Sequence, residues 1–580
     1  MKILEGIPAS PGVAIGKVML LDQDQIELQE RVLSDEEVET EVSLFLQAIR
    51  DTVHDLQEIK NKVSIDLGSK QGAIFETHLM IIQDKYLVER AVEVIRKQKR
   101  KADVVVYEIL RATHDTLLST HDEYLKERAS DIRDIRRRLI QKLQGTHGLT
   151  HIEIPEPSVI VSFELTPSMT VTLDRKNILG FATELGGRTS HAAILAKAIE
   201  VPSVVGIHKL TDILKPGDTL IVDGTQGKII VNPDSSLLDF YKQKREGIFR
   251  FAKSLETELS LPPVTLDGHK VELSANLELP EEVESVHSHG AQGIGLFRTE
   301  YLFIFRDHLP DEEEQFQNYY QVAKSIAPQP VIIRTMDIGG DKVFKLSDAY
   351  RENNPFLGLR SIRLCLNNPA LFRTQLRAIL RSSVVGNVKI MFPLISSLTE
   401  LRNAKVHLEA AKEELRKEGI PFDDSIELGI MVETPSAALT ANALAREVKF
   451  FSIGTNDLIQ YVLAVDRSNT TISNLYQSFH PAVLQLIRLT IEAGHTHGIW
   501  VGLCGEMAAD PLATLLLLGI GLDEFSASPS VLPEIKNIIR STTYTKAREI
   551  SAHCFTLDTA EAIETFLSKT MKELFPNLPL

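Results

Sequence analysis

Residues 427–457 read ELGIMVETPSAALTANALAREVKFFSIGTND and contain the repeat that decides the fold of this chain. A short apolar run, GIMV, ends at the acidic residue Glu433. An alanine-rich helical segment follows, and a second apolar run, FFSIG, leads to Asn456 and Asp457. Short apolar runs that alternate with helical patterns are typical of parallel strands joined by helices. The stretch therefore predicts a strand–helix–strand unit with polar residues at the strand ends.

The same alternation recurs from residue 262 to the end of the sequence. Eight apolar runs act as strand candidates: VELSAN ending at Asn276, GIGLFR at Arg298, VIIR at Arg334, FLGLR at Arg360, VKIMFP, GIMVE at Glu433, FFSIGTND at Asp457 and WVGLC at Cys504. Eight strand-then-helix units are the pattern of a (β/α)8 barrel, in which functional side chains lie at the carboxyl-terminal strand ends. We therefore expect residues 261–580 to form a TIM barrel with these polar residues around its mouth.

The amino-terminal part of the sequence divides into three further segments. Residues 21–145 carry amphipathic helical stripes and predict an all-α helical bundle. Residues 146–232 mix strand runs with one helix near Thr189, and residues 1–20 share that strand-and-glycine character. The bundle is therefore expected to be inserted into one α/β domain, and residues 233–260 to form a connector helix. The predicted fold class is multidomain α/β.

Composition excludes several classes of protein. The 580 residues include 63 Lys and Arg against 79 Asp and Glu, a formal charge of −16. A nucleic-acid-binding protein needs a basic face, and this balance argues against one. Three widely spaced cysteines fit neither a disulfide framework nor a zinc site. Without a signal peptide or a membrane-spanning run, the sequence predicts a cytoplasmic enzyme.

The segment GGRTSHAAILAKA, residues 186–198, places a histidine where a helix is expected to begin. Thr189 or Ser190 can cap that helix, so His191 falls in its first turn. A helix amino terminus favours bound phosphate, and neutral imidazole is nucleophilic near pH 7. His191 is therefore a candidate phosphoryl acceptor. The alternative is a surface or capping histidine, a common structural role.

Four arginines mark the expected barrel mouth: Arg298, Arg334, Arg360 and Arg467. Guanidinium groups match the geometry of carboxylate and phosphate, so converging arginines indicate a small polyanionic substrate. The alternative for any one of them is a salt bridge on the barrel rim.

Glu433 and Asp457 end neighbouring strand candidates without any histidine or cysteine nearby in sequence. Paired carboxylates suit a hard cation, Mg²⁺ or Mn²⁺, or else they position the arginines.

Cys504 stands at what is expected to be the eighth strand end. An unperturbed thiol is protonated at neutral pH and can donate a proton, whereas Cys365 and Cys554 are expected to be inert.

These motifs resemble enzyme I of the bacterial phosphoenolpyruvate-dependent sugar phosphotransferase system. The resemblance covers essentially the whole chain. It rests on motifs that occur in that family's order: GGRTSHAAILAKA, GIGLFRTE, RTMDIGGDK, NPFLGLRSIR, GIMVETPSA, FFSIGTNDLIQYVLAVDR and GLCGEMA. The helical segment matches through DEYLKERASDIRDIRRRL, residues 122–139.

The resemblance implies a function and a role for each site residue. Phosphoenolpyruvate would donate its phosphoryl group to His191, which would pass it to the phosphocarrier protein HPr. Arg298, Arg334, Asn456 and Arg467 would hold phosphoenolpyruvate, Glu433 and Asp457 would bind Mg²⁺, and Cys504 would donate the proton that yields pyruvate. The resemblance also implies a swivelling phosphohistidine domain and a homodimer formed through the barrel.

Three alternatives differ from this interpretation in features that the sequence shows. Pyruvate phosphate dikinase and phosphoenolpyruvate synthase share the histidine domain and the barrel, but they need an ATP-binding domain in place of the helical bundle. A nitrogen-related paralogue would carry an additional sensory domain. A non-catalytic relay protein would have lost reacting residues.

The first helical segment is strongly acidic. Residues 21–58 hold twelve acidic and two basic side chains, which predicts either a solvated face or a docking surface for HPr.

Overall fold

A computed structural model describes the chain at residues 1–21, 28, 30–66, 75, 78–118, 123–145, 154–165, 169, 173, 175–187, 190–199, 201–304, 308–339, 352, 354–467, 469, 472–576 and 578. The chain folds as two compact units, Met1–Phe249 and Arg250–Leu580. Each unit has hydrophobic cores of its own.

The first unit contains an eight-stranded sheet. Its strands are β1 (Lys2–Glu5), β2 (Ile7–Ser10), β3 (Val13–Leu20), β4 (Ser158–Ser162), β5 (Ile178–Thr183), β6 (Ser203–Val205), β7 (Thr219–Asp223) and β8 (Lys228–Val231). They lie in the order β1-β8-β7-β3-β4-β5-β6-β2. β3 and β4 pair in parallel, with Lys17 opposite Ser158 and Leu20 opposite Val161. Because the helical segment lies between these two strands in sequence, it is an insertion into the sheet domain.

The inserted segment is all-helical. Its long helices are Asp35–Asp66, Lys85–Gln98, Ala102–Leu118 and Glu123–Leu143. The apolar stripe on the first helix is buried at Val38, Val42, Phe45, Ile49 and Leu56. Fully burying one such side chain contributes about 1.5–3 kcal/mol, so the stripe is what holds this helix against the others. Val63, predicted to continue the stripe, lies outside the described side chains.

One predicted helix is broken into two. The periodicity over Thr77–Arg96 predicts a single helix, but helical residues 78–82 end at a turn and a new helix starts at Lys85. The carboxylate of Asp84 accepts hydrogen bonds from the backbone N–H groups of Tyr86 at 2.7 Å and Leu87 at 3.1 Å. An aspartate at this position satisfies the free N–H groups of a helix start, which explains the break.

Acidic side chains of the first helix pair with basic side chains of the same bundle. The pairs are Asp35 with Lys99 at 2.6 Å, Glu37 with Arg31 at 2.7 Å, Glu39 with Arg96 at 2.8 Å and Asp55 with Lys142 at 2.7 Å. Most of these side chains are well exposed, so each pair adds little stability. Part of the acidic excess that the sequence shows locally is therefore neutralised within the bundle.

Two further α-helices in the described part of the first unit are short, His191–Ala198 and Leu210–Ile213. The connector forms the long helix Ser235–Glu256. On the connector, Lys244 Nζ lies 2.7 Å from Oδ2 of the fully buried Asp223 at the end of β7. This contact fastens the first half of the connector to the sheet domain.

The second unit is a closed barrel of eight parallel strands. They are β9 (Glu272–Leu277), β10 (Ile294–Phe297), β11 (Val331–Arg334), β12 (Val388–Phe392), β13 (Leu428–Val432), β14 (Phe450–Ile453), β15 (Trp500–Leu503) and β16 (Glu524–Ala527). β16 pairs with both β15 and β9 and closes the barrel. The predicted TIM barrel, and with it the multidomain α/β fold class with an inserted helical bundle, is confirmed.

Two details of the predicted barrel are wrong. FLGLR is not a strand, because Pro355–Leu357 form a 3₁₀ turn and Arg360 makes only an isolated bridge to Gly339 before the helix Ser361–Asn367. The proline that precedes this run and the glycine within it disfavour a central strand. The eighth strand is instead β16, so Cys504 follows the seventh strand and not the eighth.

The interior of the barrel is packed with side chains. Buried Leu296, Ile332, Met391, Met431 and Phe450 form one cluster with Cys504. The indole of Trp500 stacks on the Phe450 ring with centroids 4.7 Å apart. A filled interior is usual for this fold and leaves the strand ends as the place where a ligand can bind.

Helices surround the barrel strands. They are Val283–Ser288, Tyr301–Ile304, Glu312–Ile326, Ser361–Asn367, Pro369–Ser382, Leu398–Glu418, Pro435–Leu439, Ala441–Leu444, Thr455–Leu463, Pro481–Thr496, Pro511–Ile520, Leu532–Arg540, Tyr544–Cys554 and Ala560–Leu574. Among the helices of the described residues, none has both the length and the apolar content needed to cross a bilayer.

Candidate active site

The predicted polar residues of the second unit gather at the carboxyl-terminal end of the barrel. Arg298 follows β10, Arg334 ends β11, Glu433 follows β13 and Cys504 follows β15. Because all eight strands are parallel, these positions share one rim. The strand ends fix the side chains on a rigid scaffold, as a catalytic site requires.

Two of the arginines are joined by a carboxylate that the sequence analysis did not single out. Asp337 Oδ2 lies 3.1 Å from Arg334 Nη1, and Asp337 Oδ1 lies 3.0 Å from Arg360 Nη2. Arg360 Nη2 also lies 3.1 Å from Asp457 Oδ2. Burial raises the pKa of Asp337, but the two guanidinium groups outweigh it and hold that pKa below its ordinary value. Asp337 therefore stays ionised between the two arginines.

Glu300 is a second acidic residue that the sequence analysis did not assign. Its Oε1 lies 3.0 Å from Arg334 Nη2 and accepts a hydrogen bond of 3.0 Å from the backbone N–H of Asp337. Both acids lie inside recognisable motifs, GIGLFRTE and RTMDIGGDK, just after a site arginine. That proximity is the signal from which they could have been found.

Three carboxylates converge beside these arginines. Oxygen atoms of Asp337, Glu433 and Asp457 all lie within 4.8 Å of one another. Burial and the charges of Asp337 and Asp457 raise the pKa of Glu433 well above its ordinary value. Three hard oxygen donors without nitrogen or sulfur suit Mg²⁺ or Mn²⁺, so the residues present fit the predicted metal.

A strained backbone position orients Glu433. The backbone N–H of Leu394 donates a 2.6 Å hydrogen bond to Glu433 Oε1. Leu394 has φ of +52°, in the left-handed region that a branched side chain rarely adopts. Strained backbone of this kind persists at functional sites when the surrounding structure enforces it. Here it accompanies the hydrogen bond from the Leu394 N–H group to the Glu433 carboxylate.

Cys504 is buried at 4% exposure. Its backbone carbonyl accepts a 2.9 Å hydrogen bond from the side-chain amide of Asn276 at the end of β9. Burial raises the pKa of the Cys504 thiol to about 11, so the thiol keeps its proton at neutral pH. The group can therefore act as an acid, and not as a thiolate nucleophile.

The other predicted residues are more accessible. Asn456 Oδ1 accepts a 2.8 Å hydrogen bond from the backbone N–H of Glu506, and the Tyr476 hydroxyl donates to the Asn456 carbonyl at 3.2 Å. Tyr476 also interacts with the exposed side chain of Arg467. Arg298 Nη1 lies 2.6 Å from Glu278 Oε1, and both side chains are partly exposed. These groups can reorient toward a ligand more readily than Arg334 or Arg360.

Models of three protein domains match successive parts of the chain. They describe the N-terminal domain of phosphoenolpyruvate-utilising enzymes at residues 5–128, the mobile domain at residues 154–227 and the phosphoenolpyruvate-binding domain at residues 252–544.

Curated relatives match over almost the whole length. A phosphoenolpyruvate-protein phosphotransferase of Haemophilus influenzae is 44% identical over 98% of this chain and 99% of its own. Proteins of the same description from Staphylococcus carnosus and a Buchnera aphidicola strain are each 41% identical over 98% of this chain, and over 99% and 100% of their own. The chain belongs to the phosphoenolpyruvate-protein phosphotransferase family. The predicted resemblance and the prediction of an enzyme are both confirmed.

In this phosphotransferase the candidate phosphoryl acceptor lies in the first unit, apart in sequence from the rim residues. The helix His191–Ala198 starts at His191, and the Ser190 hydroxyl accepts a hydrogen bond of 3.4 Å from the backbone N–H of Ala193. Gly186 has φ of +119°, and a Cβ there would approach Ser190 Oγ to 2.9 Å. The turn before the helix therefore requires glycine at this position. The His191 side chain and Thr189 lie outside the described residues.

Proposed function

We propose that this phosphotransferase transfers the phosphoryl group of phosphoenolpyruvate to His191 and from there to an HPr-type phosphocarrier, with release of pyruvate. This would be the first general step of the sugar phosphotransferase system. The proposal rests above all on one observation, the buried network in which Asp337 joins Arg334 and Arg360 beside Glu433 and Asp457. Such a network offers fixed positive charge next to oxygen donors, which suits a compact polyanion.

Substrate binding uses the rim arginines in two ways. Arg334 and Arg360 are held by buried carboxylates, so their guanidinium groups keep their positions without substrate and need little reorganisation. Arg298, Asn456 and Arg467 are more accessible, and we propose that they close on the carboxylate and phosphate of phosphoenolpyruvate. Positioning and charge neutralisation account for most of the catalysis in phosphoryl transfer.

Glu433 and Asp457 are the proposed metal ligands, and the geometry adds Asp337 as a third carboxylate close to them. When bound, Mg²⁺ or Mn²⁺ would neutralise negative charge on the phosphate and orient its oxygens. Arg334 and Arg360 both contact Asp337, and Arg360 also contacts Asp457, so the cationic side chains and the proposed metal ligands form one connected charge system.

In the transfer step, a ring nitrogen of His191 attacks phosphorus in line, and the bond from phosphorus to the enol oxygen breaks. The departing enolate takes a proton at carbon from the Cys504 thiol, which yields pyruvate. Burial keeps that proton on sulfur until the enolate forms, because it raises the thiol pKa to about 11. The thiolate then regains a proton from solvent.

The domain organisation and partners follow the same proposal. Residues 1–20 with 146–232 form the swivelling phosphohistidine domain, 21–145 the HPr-binding bundle, 233–260 the connector and 261–580 the substrate barrel. The bundle is set apart from the sheet domain as an insertion, which supports a separate docking role. We further propose a cytoplasmic homodimer formed through the barrel, and the three free cysteines fit a reducing compartment.

The test uses phosphoenolpyruvate labelled in its phosphate, with Mg²⁺. Wild-type protein should acquire acid-labile label, and His191→Ala should not. His208→Ala is the matched control, because His208 is an exposed histidine of the same unit and its loss should leave the label intact. Label that persists in His191→Ala, or that never appears in the wild type, would refute the proposed transfer. The second step is tested by measuring whether label moves from the phosphorylated wild-type protein to HPr.

A further inference from the structure

The exposed ion pair between Arg298 and Glu278 has no role in the proposed function. Arg298 Nη1 lies 2.6 Å from Glu278 Oε1, with side-chain exposures of 36% and 48%. The other paired site arginines, Arg334 and Arg360, are each 10% exposed. Among the three site arginines that pair with a carboxylate in the described residues, Arg298 is therefore the one whose partner is well exposed to solvent.

Strand register places these two residues side by side. β9 ends at Leu277 and β10 at Phe297, and these two residues are register partners in the parallel ladder. The backbone N–H of Arg298 extends the ladder with a 3.0 Å hydrogen bond to the Leu277 carbonyl. Glu278 and Arg298 are the next residues of the two strands, so the fold itself brings the acid to the substrate arginine.

The backbone at Glu278 is also held in place. Glu282 Oε2 accepts hydrogen bonds from the N–H groups of Glu278 at 2.7 Å and Leu279 at 2.9 Å. The main chain is thus fixed at the rim, while the side-chain pair is solvated and worth little free energy. An ion pair of this kind can open when a stronger anion arrives.

We propose that Glu278 is a positioning residue that competes with the substrate for Arg298. This inference rests on the proposed role of Arg298 in binding phosphoenolpyruvate. Phosphoenolpyruvate carries both a phosphate and a carboxylate and displaces Glu278. After phosphoryl transfer the remaining pyruvate is a monoanion, a weaker competitor for the guanidinium. Glu278 then forms its ion pair with Arg298 again, and this favours release of the product.

The test is Glu278→Gln, which removes the charge and keeps the shape. Affinity for phosphoenolpyruvate, measured by titration calorimetry with Mg²⁺ in a His191→Ala background that cannot turn over, should rise about two- to fivefold. In otherwise wild-type protein the KM should fall without a rise in kcat, and pyruvate should inhibit more strongly. These gains should shrink at high salt, because salt screens an exposed pair.

Glu281→Gln is the matched control, since it removes the same charge from an exposed position in the adjoining turn Pro280–Glu282. It should leave affinity for phosphoenolpyruvate and inhibition by pyruvate unchanged. Unchanged or weaker binding in Glu278→Gln, or equal gains in Glu281→Gln, would overturn the inference. Failure to label His191 while phosphoenolpyruvate still binds would instead count against the proposed transfer, and failure to bind at all against both.

Discussion

The side-chain amide of Asn276 donates a 2.9 Å hydrogen bond to the backbone carbonyl of Cys504. Ser526 Oγ donates in turn to Asn276 Oδ1 at 2.6 Å, so three strands of the barrel meet at this point. Asn276 on β9 thus reaches past β16 and fixes the backbone of the proposed proton donor, which follows β15. The Cys504 thiol itself donates to the Ile453 carbonyl at 3.8 Å, so it has a defined position before any substrate binds.

Replacing Cys504 by alanine should slow pyruvate formation by about 10²- to 10⁴-fold, the usual contribution of a general acid. Phosphoenolpyruvate binding should persist, because the thiol carries no charge that the substrate needs. Single-turnover release of pyruvate measures the first effect and calorimetry the second. Cys554→Ala is the control, as Cys554 is also buried but lies on the outer helix Tyr544–Cys554. An unchanged rate in Cys504→Ala would remove the thiol from the mechanism.

Replacing Asp337 by asparagine should raise the KM for phosphoenolpyruvate at least about tenfold. The variant leaves Arg334 and Arg360 without the charge that positions both, and breaking a buried pair costs about 3–5 kcal/mol. Steady-state kinetics and chemical denaturation measure the two consequences. Asp424→Asn serves as the control, because Asp424 pairs with Arg416 on the surface. A normal KM in Asp337→Asn would show that the shared carboxylate is dispensable.

Glu524 at the start of β16 should make the barrel less stable as pH rises. Burial raises its pKa from 4.5 to about 7 in the folded state. Between these values the folded state binds more protons than the unfolded state, so the free energy of unfolding falls with pH, by up to about 3 kcal/mol, and then levels off. Glu524→Gln should flatten this dependence and stabilise the barrel at pH 8.

Fluorescence of Trp500, the chain's single tryptophan, reports unfolding of the barrel. Glu413→Gln is a suitable control, because Glu413 is an exposed acid on the outer helix Leu398–Glu418. Should Glu524→Gln and the wild type lose stability in parallel between pH 5 and 7, another group carries the effect.

Replacing His78 by leucine should destabilise the helical bundle by about 1–3 kcal/mol. The buried imidazole lies 3.2 Å from Asp131 and 3.6 Å from Asp134, both also buried. Its loss leaves two carboxylates close together in the bundle core. Circular dichroism should show earlier helix melting, whereas Trp500 fluorescence should keep its transition. His54→Leu, on the exposed side of the first helix, is the comparison, and equal melting of the two variants would contradict the prediction.

The sequence predicted most of the barrel but not how it closes. Seven of the strand candidates correspond to strands, because their apolar runs are uninterrupted. β16 reads EFSA and includes two polar residues, Glu524 and Ser526, that face buried surroundings. An apolar-run criterion misses such a strand. FLGLR is apolar enough to satisfy that criterion, although its flanking proline and internal glycine oppose a strand.

The site was predicted as single residues and not as a network. Arg334, Arg360, Glu433 and Asp457 could be named because each stands near a strand end or in a recognisable motif. The position of Asp337 between two guanidinium groups depends on a loop that leaves β11 and on the placement of Arg360, which follows no strand at all. Contacts made by loops are set by tertiary structure, and local periodicity carries no information about them.

The pairing of β3 with β4 allows the helical insertion between them to vary without a change in the sheet. The chain leaves β3 at Leu20 and enters β4 at Ser158, three residues earlier in the parallel register, so the two ends of the insertion lie roughly 11 Å apart. Parallel neighbours require a crossover of a dozen residues or more, and any folded module with closely spaced ends can supply it. Apart from contacts such as Arg133 with Glu164, the bundle can therefore change in sequence or size without a change in the sheet. Under the proposed docking role of the bundle, substitutions there would alter the choice of protein partner and leave the domain that carries His191 unchanged.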